Sequence, residues 1–393
     1  MFLDAKQSNP MFIECENICF ASKNIYNRSL YLIKSEYEEN KSYNNLNNLY
    51  SIMQSEDCYK QLPSKVSQQT LRMVVATMKS FFEHLKVAEK GEKVNTPHFL
   101  HKTKGRYIAR YSIQSISKKV FDKAHKVKLS GCNIEVYTKI QDFADIACVR
   151  VVPKLNRYVI EIVYNVADTP KLRNNRTYAS IDLGIDNLVT MVSNKEGFQP
   201  ILINGKPLKS MNQYYNKRLA HYKSKLEKKQ KTSKRIKSLT NKRTDKVNDY
   251  MHKASKKIVD TLVQNDICCL VIGKNDGWKQ EVNIGKANNQ NFVSLPHSRF
   301  VSMLTYKCER KGIEVRLQEE SYTSKCSFLD NESIEKHDEY VGKRVKRGLF
   351  RSKEGKLINA DVNGAYNILR KAVPRAVAKG IEGLVVIPQR ITL

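Results

Sequence analysis

The hydrophobic positions in the first part of the chain recur at the spacing of a helix. Between Lys65 and Lys86, apolar side chains return every three or four positions, which places them on one face of a helix. We expect residues 12–90 to form helices. Beyond a polar connector at 91–104, the period shortens to two, which is typical of strands with one buried face. These short strands, which predict a small antiparallel β-barrel, are 106–113, 132–140, 146–152 and 157–166.

The later part of the chain alternates apolar strands with segments of helical spacing. An apolar strand begins at Tyr178 and ends at Asp182-Leu183-Gly184, and a second strand follows it directly. Further elements are strands at 266–273 and 313–320, a helix within 291–312 and an amphipathic helix that begins at Asp361. This alternation, over a length of 393 residues, predicts a multidomain α/β protein of about two to four domains.

Basic residues outnumber acidic ones far beyond what an ordinary metabolic enzyme carries. The chain has 69 Lys and Arg and 39 Asp and Glu, a formal net charge of +30 at pH 7. Such an excess indicates a polyanionic partner, most simply nucleic acid. A membrane-surface protein is the rival class, but the sequence shows no long apolar run, signal peptide or lipidation motif that would anchor one. We therefore expect a soluble, intracellular protein with no membrane partner.

The basic residues concentrate in one segment. From Lys217 to Lys257 there are 16 Lys and Arg but three acidic residues, and the lack of Pro and Gly predicts one or two long helices. A run of charge is usually only a solvated face. Here one sign is sustained and tyrosines are interleaved at its start, which favours a track for a nucleic-acid backbone. The candidate contacts are Lys217, Arg218, Lys223, Lys225, Lys228, Lys229, Lys234, Arg235 and Arg243.

Two aspartates occupy positions that suit metal-dependent hydrolysis of a phosphodiester. That reaction uses carboxylates from different elements to hold two Mg²⁺ ions about 3.5–4 Å apart. Asp182 interrupts an apolar strand just before a glycine, and Asp361 begins a helix. A charged Asp within an apolar strand is costly unless it is paired or binds a metal. Each aspartate alone could equally be structural, so the segments around them decide their significance.

Five segments, which follow one another in a set order along the chain, include or flank these two aspartates. They are DLGI at 182–185, the basic helices, LVIG at 270–273, YTSKC at 322–326 and ADVNGAYNIL at 360–369. From about 178 to 375 the chain thereby resembles the RuvC-type nuclease of the transposon-encoded TnpB family, a relative of the Fanzor proteins and the type V CRISPR effectors. Residues 22–34 and 65–86 are more weakly similar to the recognition lobe of that family.

The resemblance implies an RNase H-like fold and an RNA-guided DNA endonuclease encoded by a transposable element. It implies Mg²⁺ or Mn²⁺ as cofactor, and as partners a guide RNA, double-stranded DNA and a displaced single strand of DNA. Whether the protein is a monomer or a dimer stays open. Asp182 matches the first catalytic Asp and Asp361 the third catalytic carboxylate, both as metal ligands, with Asn363 beside the latter. The expected location is the bacterial cytoplasm, at the nucleoid, or the nucleus of a eukaryote.

The resemblance also implies how the chain is divided. The nuclease domain would come in two parts, separated by an insert and preceded by two smaller domains. In chain order these are a helical recognition lobe with an N-terminal flank (1–105), a wedge-like β-barrel (106–176), the first nuclease part with the basic hairpin 205–262 (177–322), a degenerate zinc-ribbon-like insert (323–359) and the C-terminal nuclease part (360–393).

One catalytic position of the family is missing. Its second catalytic residue is usually a Glu at the end of the strand that here ends in Gly273, and glycine has no side chain to bind a metal. Some TnpB and Fanzor proteins resemble this arrangement and carry a compensating Glu shortly before the Tyr-Thr-Ser, which points to Glu320 as catalytic residue and metal ligand. Strand alternation from Ile313 would instead turn Glu319 inward, unless the strand ends first. Glu319 is therefore the reserve, and Glu281 a remote third.

A second departure concerns the zinc ribbon that members of the family often carry before the last Asp. A tetrahedral thiolate site would need two C-x-x-C pairs, whereas this segment offers only Cys326 and His337 as soft ligands. We expect no structural zinc, and a basic loop with Lys343 and Arg344 as further nucleic-acid contacts. The N-terminal β-strand usual in the family is not evident in residues 1–12 either, which puts the completeness of the barrel in question.

Three other functions stay open at the level of sequence. Gly273 is compatible with a nuclease-dead RNA-guided DNA-binding protein that acts as a repressor. A strand-transfer transposase of the same fold is a second alternative, but nothing supplies the surroundings of a Tyr nucleophile or a module that binds transposon ends. A general basic RNA-binding protein would explain the charge and leave Asp182 and Asp361 unexplained.

Overall fold

The structure, a computed structural model, divides the chain into two units. They are Met1–Ala167 and Asp168–Leu393, and each has its own hydrophobic core. The residues that the structure describes are 2–4, 9–41, 45–88, 94–274, 295–377 and 385–393.

The helices of the first unit form where the sequence predicts them. They are α1 (Pro10–Asn40), α2 (Leu46–Met53), α3 (Asp57–Lys60) and α4 (Ser64–Val87). α1 begins at Pro10 because the Asn9 side chain accepts the N–H of Met11, and proline needs no donor in the first turn of a helix. The apolar faces of α1 and α4 pack into one core, so the helical prediction for this part of the chain is confirmed.

The strands of the first unit form an open antiparallel sheet. They are β1 (Phe2–Asp4), β2 (Ala109–Ser112), β3 (Lys126–Lys128), β4 (Glu135–Tyr137), β5 (Ile146–Lys154) and β6 (Arg157–Tyr164), with α5 (Lys118–Ala124) between β2 and β3. Four of them pair in the order β1-β6-β5-β2, and β3 pairs with β4 in a separate ladder.

The prediction of a small β-barrel for this unit is wrong. Over the residues that the structure describes, the sheet does not close into a barrel, because β1 and β2 are its two edges and each pairs with its inner neighbour. The period of two identifies strands but not their partners, so it could not show that β3 and β4 leave the main sheet. The N-terminal strand that the sequence did not reveal is present as β1, antiparallel to β6. Three residues are too few to show a period.

The second unit is built around a mixed sheet. Its strands are β7 (Tyr178–Leu183), β8 (Asn187–Ser193), β9 (Ile201–Asn204), β10 (Cys269–Gly273), β11 (Glu314–Gln318) and β15 (Gln389–Ile391), with a small insert sheet of β12 (Lys343–Lys346), β13 (Leu349–Arg351) and β14 (Leu357–Asn359). The strand order of the mixed sheet is β11-β10-β7-β8-β9-β15. In this sheet β7, β10 and β11 run parallel, while β8 is antiparallel to β7 and β9.

The helices of the second unit cover this sheet. They are α6 (Lys206–Lys223), α7 (Lys234–Gln264), α8 (His297–Glu309) and α9 (Ala360–Ala372). α6 and α7 form the predicted basic hairpin, and α7 begins where Ser233 accepts the N–H of Ile236. α9 packs on β7 and β8. The predicted mixed α/β architecture is confirmed, and none of the described helices has the length and hydrophobicity that a bilayer crossing requires.

Candidate active site

Asp182 is the last residue but one of β7, a strand with neighbours on both sides. Ile181 and Leu183 are buried in the core, so the alternation of a strand turns Asp182 to the opposite face. On that face Ser180 donates a hydrogen bond of 2.7 Å to a carbonyl of α9. A Cβ added to Gly364 of α9 would lie 3.2 Å from Asp182 Oδ2. The glycine therefore lets the helix approach this carboxylate closely.

Asp361 lies in the first turn of α9. The helix begins there because Asn359 Oδ1 accepts the N–H groups of Asp361, at 3.0 Å, and of Val362, at 3.2 Å. The positive end of the helix dipole favours a carboxylate at this place. Asn187, the first residue of β8, donates to Asp361 Oδ2 at 2.7 Å, and Arg344 lies 3.5 Å from Oδ1. These contacts hold the carboxylate next to the turn that follows Asp182.

Glu320 fills the space that a side chain on Gly273 would occupy. A Cβ added to Gly273 would lie 2.9 Å from Glu320 Cδ and 2.7 Å from Ile368 Cδ1. Gly273 ends β10, which pairs directly with β7. The Glu320 carboxylate thus stands over the end of β10, close enough to Asp182 that the two carboxylates, together with Asp361, repel one another.

Glu319 points to different partners. Its Oε2 accepts a hydrogen bond of 2.6 Å from Lys371 Nζ, and its Oε1 accepts the N–H of Ser321 at 2.6 Å. The hydrogen bonds from Lys371 and from the Ser321 hydroxyl are the main causes that lower the pKa of the Glu319 carboxyl to about 2, and the N–H of Ser321 adds to them. β11 ends at Gln318, so strand alternation stops before it could turn Glu319 inward. The remote candidate Glu281 lies outside the described residues.

Asp182 and Glu320 are half-buried carboxyl groups with raised pKa values. Burial first, and then repulsion from Glu320 and Asp361, raise the pKa of Asp182 to about 8, and Arg344 opposes this. Burial also raises the pKa of Glu320 to about 7. Carboxylate oxygens are the donors that Mg²⁺ and Mn²⁺ prefer, and a divalent cation would offset the repulsion. Among the described residues, no group of three or more His, Cys, Asp or Glu side chains has the geometry of a metal site.

Asp186 and Asn187 are polar residues of this site that the sequence analysis did not single out. Asp186 forms ion pairs with Lys209, at 3.2 Å, and with Arg347 of the insert, while Asn187 holds Asp361. Their position in the sequence could have indicated this role, because they lie in the tight turn directly after the DLG segment. Polar residues in such a turn lie close to the end of the strand that precedes it.

The predicted insert is fastened to α9 by side-chain amides. Asn363 Nδ2 donates to the carbonyl of Cys326 at 2.9 Å, and its Oδ1 accepts the N–H of Phe328 at 2.9 Å. One turn later, Asn367 Nδ2 donates to the same carbonyl at 2.8 Å. The Phe328 ring stacks on Tyr366, with centroids 4.5 Å apart. Asn363 therefore contacts the insert with both ends of its amide.

The two candidate soft ligands of the insert are engaged with backbone oxygens. Cys326 Sγ donates to the Glu335 carbonyl at 3.7 Å, and His337 Nε2 donates to the Ser333 carbonyl at 2.8 Å. That no zinc binds here stays a prediction.

A buried carboxylate ties the insert together. Glu332 Oε2 accepts the N–H of Ser327 at 2.6 Å, and Glu332 Oε1 accepts the N–H of Val341 at 2.8 Å. Arg370 of α9 donates to the backbone carbonyl of Glu332. Glu332 therefore links two backbone segments of the insert, one at Ser327 and one at Val341. In a zinc ribbon, the metal links the segments in this way.

The predicted nucleic-acid contacts follow the basic hairpin and the insert. Arg218 and Arg243 are half-buried and pair with side chains of α6, through the hydroxyl of Tyr222 and the amide of Asn212. The exposed members are Lys217 and Lys223 on α6, Lys225, Lys228 and Lys229 in the connection, Lys234 and Arg235 at the start of α7, and Lys343 and Arg344 on β12.

Comparisons with known proteins identify two segments of the chain that match family models. Residues 161–279 match the family model OrfB_IS605, described as a probable transposase, and residues 297–368 match the TNB domain of Cas12f1-like proteins. Asp182 falls in the first matched segment, and Glu320 and Asp361 fall in the second. No curated protein sequence matches the chain.

Solved structures also resemble the chain. A Cas12f1–sgRNA–target DNA complex aligns over 90% of this chain and 81% of that chain, with 16% identity and a TM-score of 0.55. A CRISPR–Cas12f ternary complex aligns over 91% and 81%, with 14% identity and a TM-score of 0.38. C2c1 of Alicyclobacillus acidoterrestris with a single-guide RNA aligns over 89% and 65%, with 10% identity and a TM-score of 0.43. The first of these shows that the fold is similar to that of Cas12f1.

The chain therefore contains a segment that matches a transposase family model, and its fold is similar to that of Cas12f1. The predicted resemblance to the TnpB family is confirmed.

Proposed function

We propose that the protein is an RNA-guided DNA endonuclease encoded by a transposable element, which cuts DNA next to a short target-adjacent motif. The observation that carries this proposal is the Glu320 carboxylate in the space above Gly273, beside Asp182. The family position that usually holds a Glu is glycine here, and a carboxylate from a neighbouring segment takes the same space. Asp182 is half-buried and is repelled by Glu320 and Asp361, an arrangement that costs stability unless the carboxylates bind a cation.

Guide RNA and DNA follow as partners of this function. The Cas12f1 of similar fold is in complex with sgRNA and target DNA, and the net charge of +30 suits polyanions. Sequence choice would rest on pairing between guide and target, with the protein reading duplex shape and the flanking motif. We also propose that the second unit contains an RNase H-like nuclease domain in two parts, around the insert, and that the first contains the recognition and wedge domains.

Asp182, Glu320 and Asp361 would hold Mg²⁺ or Mn²⁺. Two such ions, when bound, supply an activated water and stabilise the charge on the departing 3′-oxygen. Asn187 orients the Asp361 carboxylate through its hydrogen bond, and Gly364 leaves room beside Asp182. Arg344, which reaches Asp361 from the insert, is placed to meet a phosphate of the substrate.

The test is cleavage of a plasmid library in which the sequence flanking the target is randomised. The full chain is co-expressed with the RNA encoded downstream of it, and cutting is assayed with Mg²⁺ and with EDTA. We expect Mg²⁺-dependent cutting next to one enriched motif, loss of cutting in Asp182→Ala and Asp361→Ala, and retention of RNA binding by both variants. Robust cutting by either variant would overturn the site.

The same experiment distinguishes the nuclease from the second candidate function, an RNA-guided repressor without nuclease activity. Gly273 at the family's catalytic position favours it, and Glu320 in the vacated space opposes it. Motif-specific binding without cutting, by the wild-type protein in Mg²⁺, would establish the repressor and reject the nuclease.

A further inference from the structure

A cavity of about 710 Å³ lies between α6 and α7. The residues that hold the candidate carboxylates, Asn187 and Arg344 among them, do not line it. Its volume lies in the range of sites that enclose a small organic molecule and exceeds what a lone phosphate needs. The cavity is therefore a candidate ligand site on the hairpin, and it is distinct from the candidate active site.

The lining of this cavity combines positive charge with aromatic rings. Its charged side chains are all basic, and among the described lining residues none is acidic. Three tyrosines stand between the cations, two of them on adjacent positions of α6. A ligand that matches both features carries negative charge and a flat ring. The basic members are Arg218, Arg235, Lys242, Arg243 and Lys246, and the aromatic members are Tyr214, Tyr215 and Tyr222.

Two arginine–tyrosine pairs are already ordered around the cavity. The Arg218 guanidinium lies 5.0 Å from the centre of the Tyr222 ring and donates to its hydroxyl at 2.7 Å. The Arg243 guanidinium lies 5.8 Å from the centre of the Tyr215 ring, and the Tyr215 hydroxyl is hydrogen-bonded across the hairpin to Thr240 at 3.1 Å. Side chains that are already held in place before a ligand binds lose less conformational entropy when it binds.

A buried amide orients one of these arginines. Asn212 is 1% exposed, and its Oδ1 accepts a hydrogen bond of 2.8 Å from Arg243 Nε. Its Nδ2 has no hydrogen-bond partner among the described residues. Asn212 does not itself line the cavity, so it acts on the site through the orientation of Arg243, which does.

Tyr214 differs from the other two rings because it is 62% exposed at the edge of the cavity. An exposed ring beside a basic cavity is the arrangement on which proteins stack the bases of single strands. Bases within a duplex are already stacked on their neighbours, so they present no free face to such a ring. These features suit an unpaired nucleotide.

We propose that the cavity between α6 and α7 takes one unpaired nucleotide of a bound strand, with its base on Tyr214 and its phosphate among Arg218, Arg235 and Lys242. The site rests on the proposed function in one respect, namely that such a strand is the guide RNA or the displaced strand of DNA. Both offer the same chemistry, a planar base and a phosphate.

The test uses the full chain and three short probes that carry the fluorescent base 2-aminopurine at one central position. The probes are a single-stranded RNA, the same sequence as single-stranded DNA, and the DNA duplex. Stacking on Tyr214 should quench the fluorescence of a single-stranded probe and leave that of the duplex unchanged. Tyr214→Ala should remove the quench and weaken binding roughly tenfold, and Tyr214→Phe should keep both.

Tyr306→Ala is the matched control. Tyr306 is also a partly exposed helical tyrosine with an arginine over its ring, Arg310 at 5.7 Å, but it does not line the cavity. Its removal should leave the quench unchanged. Arg218→Gln provides a second variant, and it should weaken binding of the single strands while the Tyr214 ring is intact.

The outcomes separate this site from the nuclease. A quench with RNA alone assigns the cavity to the guide, a quench with DNA alone assigns it to the displaced strand, and a quench with both assigns it to any single strand. Equal quench in the wild type and Tyr214→Ala, or saturated binding without a quench, would overturn the site even if the plasmid is cut. A Tyr214-dependent quench without cutting would retain the site and reject the nuclease.

Discussion

Glu320 and Glu319 are adjacent in the chain, but their carboxylates have opposite surroundings. Glu320 is half-buried above Gly273 near Asp182, whereas Glu319 is bound by Lys371. We expect Glu320→Gln to lower the rate of DNA cutting at least about 100-fold, because a neutral amide is a poor ligand for Mg²⁺. Glu319→Gln should keep the rate within about threefold. Single-turnover cleavage of a matched target measures both, and the reverse order of effects would move the site by one residue.

Gly273→Ala tests whether the Glu320 carboxylate needs the space above the glycine. The added Cβ would meet Glu320 Cδ at 2.9 Å and Ile368 Cδ1 at 2.7 Å, and Ile368 is buried in the core. We expect cutting to fall by about tenfold or more, since small displacements of a reacting group are costly, and overpacking against Ile368 to lower the free energy of unfolding by about 1–3 kcal/mol. Cleavage and thermal unfolding are measured on the same preparation. Full activity would show that the carboxylate acts from another position.

Asp182 is expected to destabilise the metal-free fold as the pH rises. Its pKa is about 8 in the folded protein against an ordinary value of 3.8, so between these values the folded state retains a proton that the unfolded state has lost. Stability then falls with increasing pH. In EDTA, Asp182→Asn should match the wild type near pH 4 and exceed it by on the order of a few kcal/mol above pH 8.

Thermal unfolding across this pH range measures the difference between Asp182→Asn and the wild type. Added Mg²⁺ at pH 8 should raise the unfolding temperature of the wild type more than that of the variant, because ligand binding stabilises the folded state. A difference that stays constant from pH 4 to pH 8 would show that the half-buried Asp182 carboxyl is not repelled by its neighbours.

The sequence reveals those residues of the site whose polarity breaks a local pattern. Asp182 interrupts an apolar strand and Asp361 begins an amphipathic helix, so both were visible without the structure. Glu320 was not, because strand alternation ends at Gln318 and only a resemblance pointed to the next glutamate. Asn187 could not be found either, since its role depends on a turn that brings it to a helix far along the chain.

At the scale of the elements, the insert before α9 is held by a carboxylate. Glu332 accepts backbone N–H groups from Ser327 and Val341, and it is 7% exposed. Glu332→Gln replaces one acceptor oxygen by a donor, which leaves a buried N–H unpaired and should cost about 1–3 kcal/mol. We expect the insert of this variant to become sensitive to protease at a temperature at which the wild-type insert is protected.

Glu354→Gln is the control, because Glu354 is exposed in the same insert and pairs with Lys356. It should leave the protection unchanged. A chelator of zinc should also leave the wild-type insert protected. Loss of protection on chelation would contradict a metal-free insert, and unchanged protection in Glu332→Gln would contradict the role of this carboxylate.

Helices and strands were predictable at this scale, while their pairing was not. The spacing of apolar residues identified α4 and the hairpin of α6 and α7, because a helix shows its period within its own segment. The sheet of the first unit depends on contacts between distant segments: β1 pairs with β6 across most of the unit. No local pattern contains that information, and the expectation of a closed barrel failed for this reason.

For the molecule as a whole, the basic charge is concentrated on the hairpin of α6 and α7, where we propose that nucleic acid binds. Binding that neutralises phosphates releases counterions, so the logarithm of affinity falls with the logarithm of salt concentration by about 0.7–0.9 for each phosphate contact. Lys228 and Lys229 are exposed between α6 and α7. We expect replacement of both by Ala to reduce the slope for guide or target binding by about 1.4–1.8.

The matched control replaces Lys253 and Lys256 of α7 by Ala, which removes the same charge from the same hairpin. These lysines already pair with Asp249 and Asp260, so they have less charge to offer a phosphate and their loss should change the slope less. Fluorescence anisotropy of a labelled strand between about 50 and 300 mM salt gives both slopes. Equal slopes in the two variants would mean that the net charge attracts nucleic acid as a general field, without a track along the hairpin.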